Sequence, residues 1–411
     1  MRVTALPKRV PPPAGRLGFL DTLRGLAAVY VVVYHMTLLS RPVLEPPDWL
    51  HQFVHAGGAG VTLFFVVSAF SLCYTMPFRF AKARPLTSFY VHRFFRIAPL
   101  FYAAIVCYLI RDVIMFGVHH EPTEVLASLL FVFNVIPGWE QGFVWASWTI
   151  GVEMLFYAIF PLIYARTKNI YDSIAWLIGS LLVWELVKYG LASSQIPAAE
   201  RAAVVQWSVF RHLPVFAAGV LAFHLLEGKL DPAQDSPTRR ARGRAMLAGG
   251  VFLFMALLNG WLPNLFGVPY YWQAVVAVLL VIGLCFAPIG LVVNRVTARL
   301  GKLSYSIYLV HPTVVYLLNP VYQWLYAHVS TRSLAFGCCF ALSLAVVVAM
   351  SELTFRFIEK PGITLGRHVE RRWLSRPWAS RTLGAEDRAG SEDRSRAPSR
   401  MRRSRQGDTL A

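Results

Sequence analysis

LGFLDTLRGLAAVYVVVYHMTL, residues 17–38, decides how the rest of the chain is read. Asp21 and Arg24 sit near its start, ten uncharged residues follow, and His35 lies toward its far end. About 20 mostly apolar residues is the length at which a helix crosses the ~30 Å hydrocarbon layer of a bilayer. Runs of the same kind recur at about 57–76, 95–117, 146–165, 170–190, 207–227, 245–263, 269–293, 303–326 and 333–357. The chain therefore reads as an all-α, polytopic membrane helix bundle of about ten transmembrane helices. Its composition agrees: 56% of the 411 residues are hydrophobic and 15% charged, against roughly 25% charged in a soluble domain.

The basic residues test the count. Loops 77–96, 166–169, 228–244 and 294–302 are rich in Lys and Arg, whereas 39–56, 118–145, 191–206, 264–268 and 327–332 are poor in them. Ten crossings put every basic loop and both termini on the cytoplasmic side of a bacterial inner membrane, as the positive-inside bias requires. Segment 124–136, EVLASLLFVFNVI, is short for a crossing. Counting it would turn the later basic loops outward, so it reads as re-entrant or interfacial. The net charge of +18 then reflects loops and tail facing the cytoplasm, not a nucleic-acid surface. Five cysteines, at 73, 107, 285, 338 and 339, lie in apolar segments without metal or disulfide spacing and read as small buried hydrophobes. No metal ligand set is indicated.

Three regions follow. Residues 1–16 form a basic, Pro-rich cytoplasmic segment with no small-residue cleavage site, so the first span is expected to be retained. Residues 17–362 form the membrane domain. Residues 363–411 read as a disordered cytoplasmic tail, with twelve Arg and six Asp or Glu from 366 onward and little to bury.

Ionisable groups inside spans are costly and are functional candidates by default. Arg24 and His35 are eleven residues apart, almost three turns, so they share a helix face roughly 16 Å apart. A snorkelling Arg and a packing His would look the same. Arg93 and Arg96, in FYVHRFFRIAP, share a face at the mouth of the third span and suit either phosphate or simple anchoring. Glu153 is the single charge in WASWTIGVEMLFYAIFPL and needs a partner, for which a histidine or arginine of another helix is the obvious choice. His311 tops a stripe with Tyr308 and Tyr305 in LGKLSYSIYLVHP, where Pro312 should loosen the helix. Arg211 and His212, at the outer end of their span, are weaker candidates for touching an acceptor, and Gly57, Gly58 and Gly60 suit close helix approach.

Seven segments in order carry a resemblance: LDTLRGLAAVYVVVYH, GVTLFFVVSAF, FYVHRFFRIAPLFY, SWTIGVEMLFYAIFPL, RHLPVFAAGVL, LGKLSYSIYLVHP and FRFIEKP. The chain resembles the membrane-bound acyltransferase-3 family, which O-acylates surface polysaccharides, lipids and related acceptors. The resemblance covers about 17–362. It carries the family's first-helix Arg and His onto Arg24 and His35, its paired arginines onto Arg93 and Arg96, and its glutamate onto Glu153. Its Ser-Tyr-Ser segment with a following His lands on Ser304, Tyr305 and His311, and its closing element on Glu359, Lys360 and Pro361. Two positions depart: Ser68-Ala69-Phe70 replaces Ser-Gly-Phe, and Met154 replaces a second glutamate.

The resemblance implies acyl-CoA, in the first instance acetyl-CoA, as donor substrate rather than as a resident cofactor. The acceptor is expected to be a carbohydrate or glycolipid hydroxyl. Arg24, Arg93 and Arg96 would hold the donor phosphates and His35 would act as base or take the acyl group. Glu153 and His311 would orient that ring, and Tyr305 and Tyr308 would face the developing oxyanion. The same intramembrane charges would also line a transporter or flippase for an acylated glycolipid.

Overall fold

In the computed structural model of the chain, the described residues are 17–374, apart from 81, 83, 232–233 and 267–269. Fifteen α-helices occupy them in the order α1 (Gly18–Leu39), α2 (Asp48–His55), α3 (Ala59–Phe80), α4 (Pro85–Phe116), α5 (Pro122–Leu129), α6 (Trp148–Arg166), α7 (Ile170–Ala192), α8 (Ala198–Trp207), α9 (Val209–Leu226), α10 (Pro237–Leu258), α11 (Tyr270–Phe286), α12 (Arg295–Leu317), α13 (Asn319–His328), α14 (Arg332–Thr354) and α15 (Lys360–Val369). The chain is an all-α, multi-pass membrane bundle. Among the described residues, eight helices are long and apolar enough to cross a bilayer, α9 counting together with α8 and α14 with its continuation. The two remaining expected spans fall on α11, which is shorter, and on α12, whose first turns carry Arg295, Arg299 and Lys302.

Several boundaries differ from the expectation. The span set at 303–326 is two helices, α12 and α13, because Asn319-Pro320 breaks the run. Pro312 leaves α12 continuous. The 124–136 segment is the eight-residue α5, a reversal at Phe131 (φ 61°) and one 3-10 turn at Phe133–Val135, too short to cross. Cys107 is exposed on α4, unlike the buried Cys73 and Cys339. The boundary at 363 falls inside a helix: α15 and a wide turn at Glu370–Leu374 continue past it. Glu370 anchors that extension by accepting from Lys82 Nζ (2.5 Å), His92 Nε2 (2.7 Å) and Ser88. Residues 375–411 of the expected tail lie outside the described residues.

Small residues set the packing around the site. Gly25 of α1 lies against the Thr297 carbonyl of α12, where an added Cβ would come within 2.6 Å of oxygen. Gly301 of α12 meets the Asp21 backbone in the same way, so α1 and α12 run side by side almost in backbone contact. Gly60 of α3 lies against the Ala27 carbonyl, and Gly219 of α9 against Val66. These contacts draw α1, α3, α9 and α12 together, and α4 and α6 complete a ring around an internal cavity.

Candidate active site

The cavity measures about 370 Å³ and is lined by α1, α3, α4, α6 and α12. Its lining on α3 runs from Thr75 back to Val61, about 21 Å of helix. At one end stand Asp21, Arg24, Ser71, Thr75, Arg93 and Arg96. Ser68, Glu153, Tyr157 and Tyr305 occupy the middle, and the far end is Val61, Phe64, Phe65, Ile150 and Tyr308 with Thr149. The cavity thus grades from cationic to apolar along its length.

At the arginine end only Arg24 has a carboxylate in contact among the described residues. Arg24 donates to Ser71 Oγ at 2.6 Å and reaches Asp21 Oδ1 at 3.4 Å. The Arg93 guanidinium lies over the Tyr157 ring at 5.3 Å, and its buried Nε has no hydrogen-bond partner. Among the described residues, no carboxylate lies within ion-pair distance of Arg93 or Arg96; Glu359, Glu153 and Asp21 act on Arg96 from farther off. Glu359 itself accepts from Ser306 at 2.8 Å.

Glu153 does not pair with a histidine or an arginine, as its isolation suggested. Its Oε1 accepts from Ser68 Oγ at 2.6 Å and from the Tyr157 hydroxyl, whose oxygen also lies 3.2 Å from Ser68. The reason is helical: Tyr157 is one turn on, on the same face, and Ser68 of α3 faces both. Tyr305, expected to face the oxyanion, lines the middle of the cavity. Its hydroxyl donates to the Ile97 carbonyl at 2.7 Å.

His35 finds a partner that spacing along one helix could not show. Its ring meets that of His311 at 4.7 Å between centroids, crossed at 72°. His35 Nδ1 lies 2.9 Å from the Val31 carbonyl and His311 Nδ1 lies 3.1 Å from the Ile307 carbonyl. A carbonyl only accepts, so each neutral ring carries its proton on Nδ1 and its lone pair on Nε2. His311 is fully buried and its Nε2 has no partner; His35 is half-buried. Neither ring is among the residues lining the cavity, which stops at Tyr308, one turn before His311 and 5.6 Å from it between ring centroids.

Arg211 and His212 stand apart from the cavity. His212 is buried, bonded through Nδ1 to the Tyr270 hydroxyl at 2.6 Å and packed on Trp148 and Phe65, so it supports the far wall. Arg211 lies over Tyr270 at 5.0 Å and donates to Gln206. Ser71 and Tyr157 are not among the residues the sequence points to, and Ser68 enters there only through its Ser-Ala-Phe motif; the hydroxyls of Ser68 and Ser71 inside an apolar span were the available signal. A second unanticipated cluster caps the His311 side. Thr313 donates to the Tyr108 hydroxyl at 3.0 Å, and Arg111 is sandwiched between the Tyr108 and Trp145 rings at 3.8 and 4.1 Å.

Residues 17–352 match the sequence model of a family described as an acyltransferase domain. The chain is 24% identical over 377 residues to the peptidoglycan O-acetyltransferase OatA of Listeria monocytogenes, a match covering 83% of this chain and 55% of that protein. It is 26% identical over 388 residues to acyltransferase MdmB of Streptomyces mycarofaciens, covering 87% and 94%. It is 28% identical over 277 residues to exopolysaccharide production protein ExoZ of Rhizobium meliloti, covering 64% and 77%. The chain spans about half the length of the Listeria relative. No solved structure matches.

Proposed function

Since this chain belongs to the acyltransferase family matched by residues 17–352, we propose that it moves a short acyl group, acetyl first of all, from acyl-CoA to a hydroxyl of a carbohydrate-containing acceptor. The observation that carries the donor assignment is the set of three arginines, two of them without a carboxylate in contact among the described residues, at one end of a shaft that points at the histidine pair. Guanidinium forks suit phosphate, and the cavity's length suits an extended thioester arm. The acceptor class is supported by the names of the Listeria and Rhizobium relatives. The donor enters from the cytoplasm, where the basic loops lie by the positive-inside bias, and the acceptor from the opposite face.

In this reading His35 Nε2 takes the acceptor hydroxyl proton as its oxygen attacks the thioester carbonyl. The tetrahedral intermediate expels the CoA thiolate, which recovers that proton from the imidazolium, leaving an ester and CoA-SH. His311 faces His35 and steadies the ring whose charge changes. Glu153, held by Ser68 and Tyr157, positions the Tyr157 platform on which Arg93 rests. A transporter reading draws no support from membership in a family of acyltransferases.

The test follows labelled acetyl-CoA into extracted surface glycans of membranes bearing the protein. His35→Ala should lower transfer by about 10²–10⁴ while the protein remains in the membrane. Undiminished labelling would remove His35 from the chemistry.

A further inference from the structure

We propose that Phe64, backed by Val61 and Tyr308, is the wall that sets which acyl groups the enzyme takes: short, uncharged chains, with each added methylene and any terminal carboxylate disfavoured. The inference rests on the cavity being the donor site and assigns the chemistry of its far end.

Four observations carry it. First, the end remote from the arginines is lined by Val61, Phe64, Phe65 and Ile150, and of the hydroxyls there Thr149 donates to the Ala146 carbonyl at 3.3 Å. No cation lines that end, so a succinyl or malonyl carboxylate would be buried without a partner, which is costly. Second, the cavity is closed by the Phe64 and Tyr308 rings, which meet edge to face at 6.0 Å, and His311 lies directly behind Tyr308 at 5.6 Å. The acyl carbonyl has to come to this wall to approach the histidine pair. Third, the neighbouring ring on the same helix is locked: Phe65 is buried, stacked on Phe216 at 4.6 Å and crossed by Trp148 at 6.2 Å. Fourth, Phe64 is half-buried, lines the cavity and has only the edge-to-face contact with Tyr308, so its bulk, more than that of the locked Phe65, fixes the space left for the alkyl end.

One methylene more or less in an apolar pocket changes selectivity by about tenfold or more. Full-length protein in its own membranes, supplied separately with acetyl-, propionyl-, butyryl- and succinyl-CoA labelled in the acyl group, reads the effect as label transferred to membrane glycans. The wild type should prefer acetyl over butyryl by about 100-fold and transfer no succinyl. Phe64→Ala should narrow the butyryl-to-acetyl gap by about tenfold or more and leave succinyl excluded, because it adds room but no cation. Phe64→Leu and Val61→Ala, which are milder, should narrow it less, and they carry the comparison if Phe64→Ala does not reach the membrane. A butyryl-to-acetyl ratio unchanged in all the variants that reach the membrane, with acetyl transfer intact, overturns the wall alone. Equal wild-type use of acetyl and butyryl, or ready use of succinyl, does the same. No transfer from any of the four thioesters by the wild type overturns the donor reading itself.

Discussion

Arg96 offers the sharpest test of the cationic end, because it makes no direct ion pair among the described residues. It lines the cavity and has no carboxylate within ion-pair distance among the described residues. Replacing it by Gln breaks no direct ion pair, but it removes a counter-charge of the buried Glu359, so the variant's level and thermal midpoint in the membrane are measured beside its kinetics. Its loss should be felt by the ligand. A hydrogen bond between charged groups is worth about 1.5–3 kcal/mol, so the KM for acetyl-CoA should rise roughly 10- to 150-fold while kcat stays near its wild-type value. The control is chemical: S-acetylpantetheine carries the thioester arm without the nucleotide phosphates. If Arg96 binds phosphate, Arg96→Gln should leave the use of S-acetylpantetheine unchanged, and the two donors with the two proteins form a double-mutant cycle whose coupling is the contact. An equal loss with both donors, or a fall confined to kcat, would refute the phosphate assignment.

Two other outcomes are expected. Gly301→Ala would drive a methyl into the Asp21 backbone of α1, so the thermal midpoint of detergent-solubilised protein should fall by the equivalent of about 1–3 kcal/mol or more; an unchanged midpoint would contradict the close α1–α12 contact. His120, in the loop after α4, bonds Asp112 through Nε2 at 2.9 Å and Glu124 through Nδ1 at 3.0 Å. Partial burial opposes its charge, but the two carboxylate hydrogen bonds outweigh it and raise the pKa above the ordinary 6.5. The stability this adds is complete below the unfolded value and is lost as pH climbs through the raised folded value. Between about pH 6 and about pH 9 the wild-type midpoint should thus decline more than that of His120→Gln, and parallel curves would count against it.

The helices were legible because hydropathy and the alternation of basic and neutral loops constrain each other, and both are properties of local sequence. The misread boundaries are places where a local rule lost to a tertiary one. Asn319-Pro320 ends a run that hydropathy alone continued into α13. Past residue 363, an apparently soluble, basic stretch stays helical because Gly362 and Gly366 pack against Pro99 and Phe95 of α4 and Glu370 accepts from Ser88 and His92 of that helix and from Lys82 just before it. Neither partner is visible from the tail's own composition.

The site divides along the same line. That Arg24 and His35 share a face follows from 3.6 residues per turn, and that Arg93 and Arg96 do follows from their spacing of three. Which residue each would meet does not follow. Glu153 was expected to seek a distant cation, yet a hydroxyl one turn away and another across the helix gap suffice, since two donors on one carboxylate oxygen meet much of its demand without burying a second charge. His35 and His311 are 276 residues apart and come together because α1 and α12 run parallel in near backbone contact at Gly25 and Gly301. Two glycines far from the chemistry therefore fix the offset that brings one imidazole against the other. The same offset places Tyr308, not His35, at the cavity's end, which is why a ladder drawn along α1 alone overshoots by one turn.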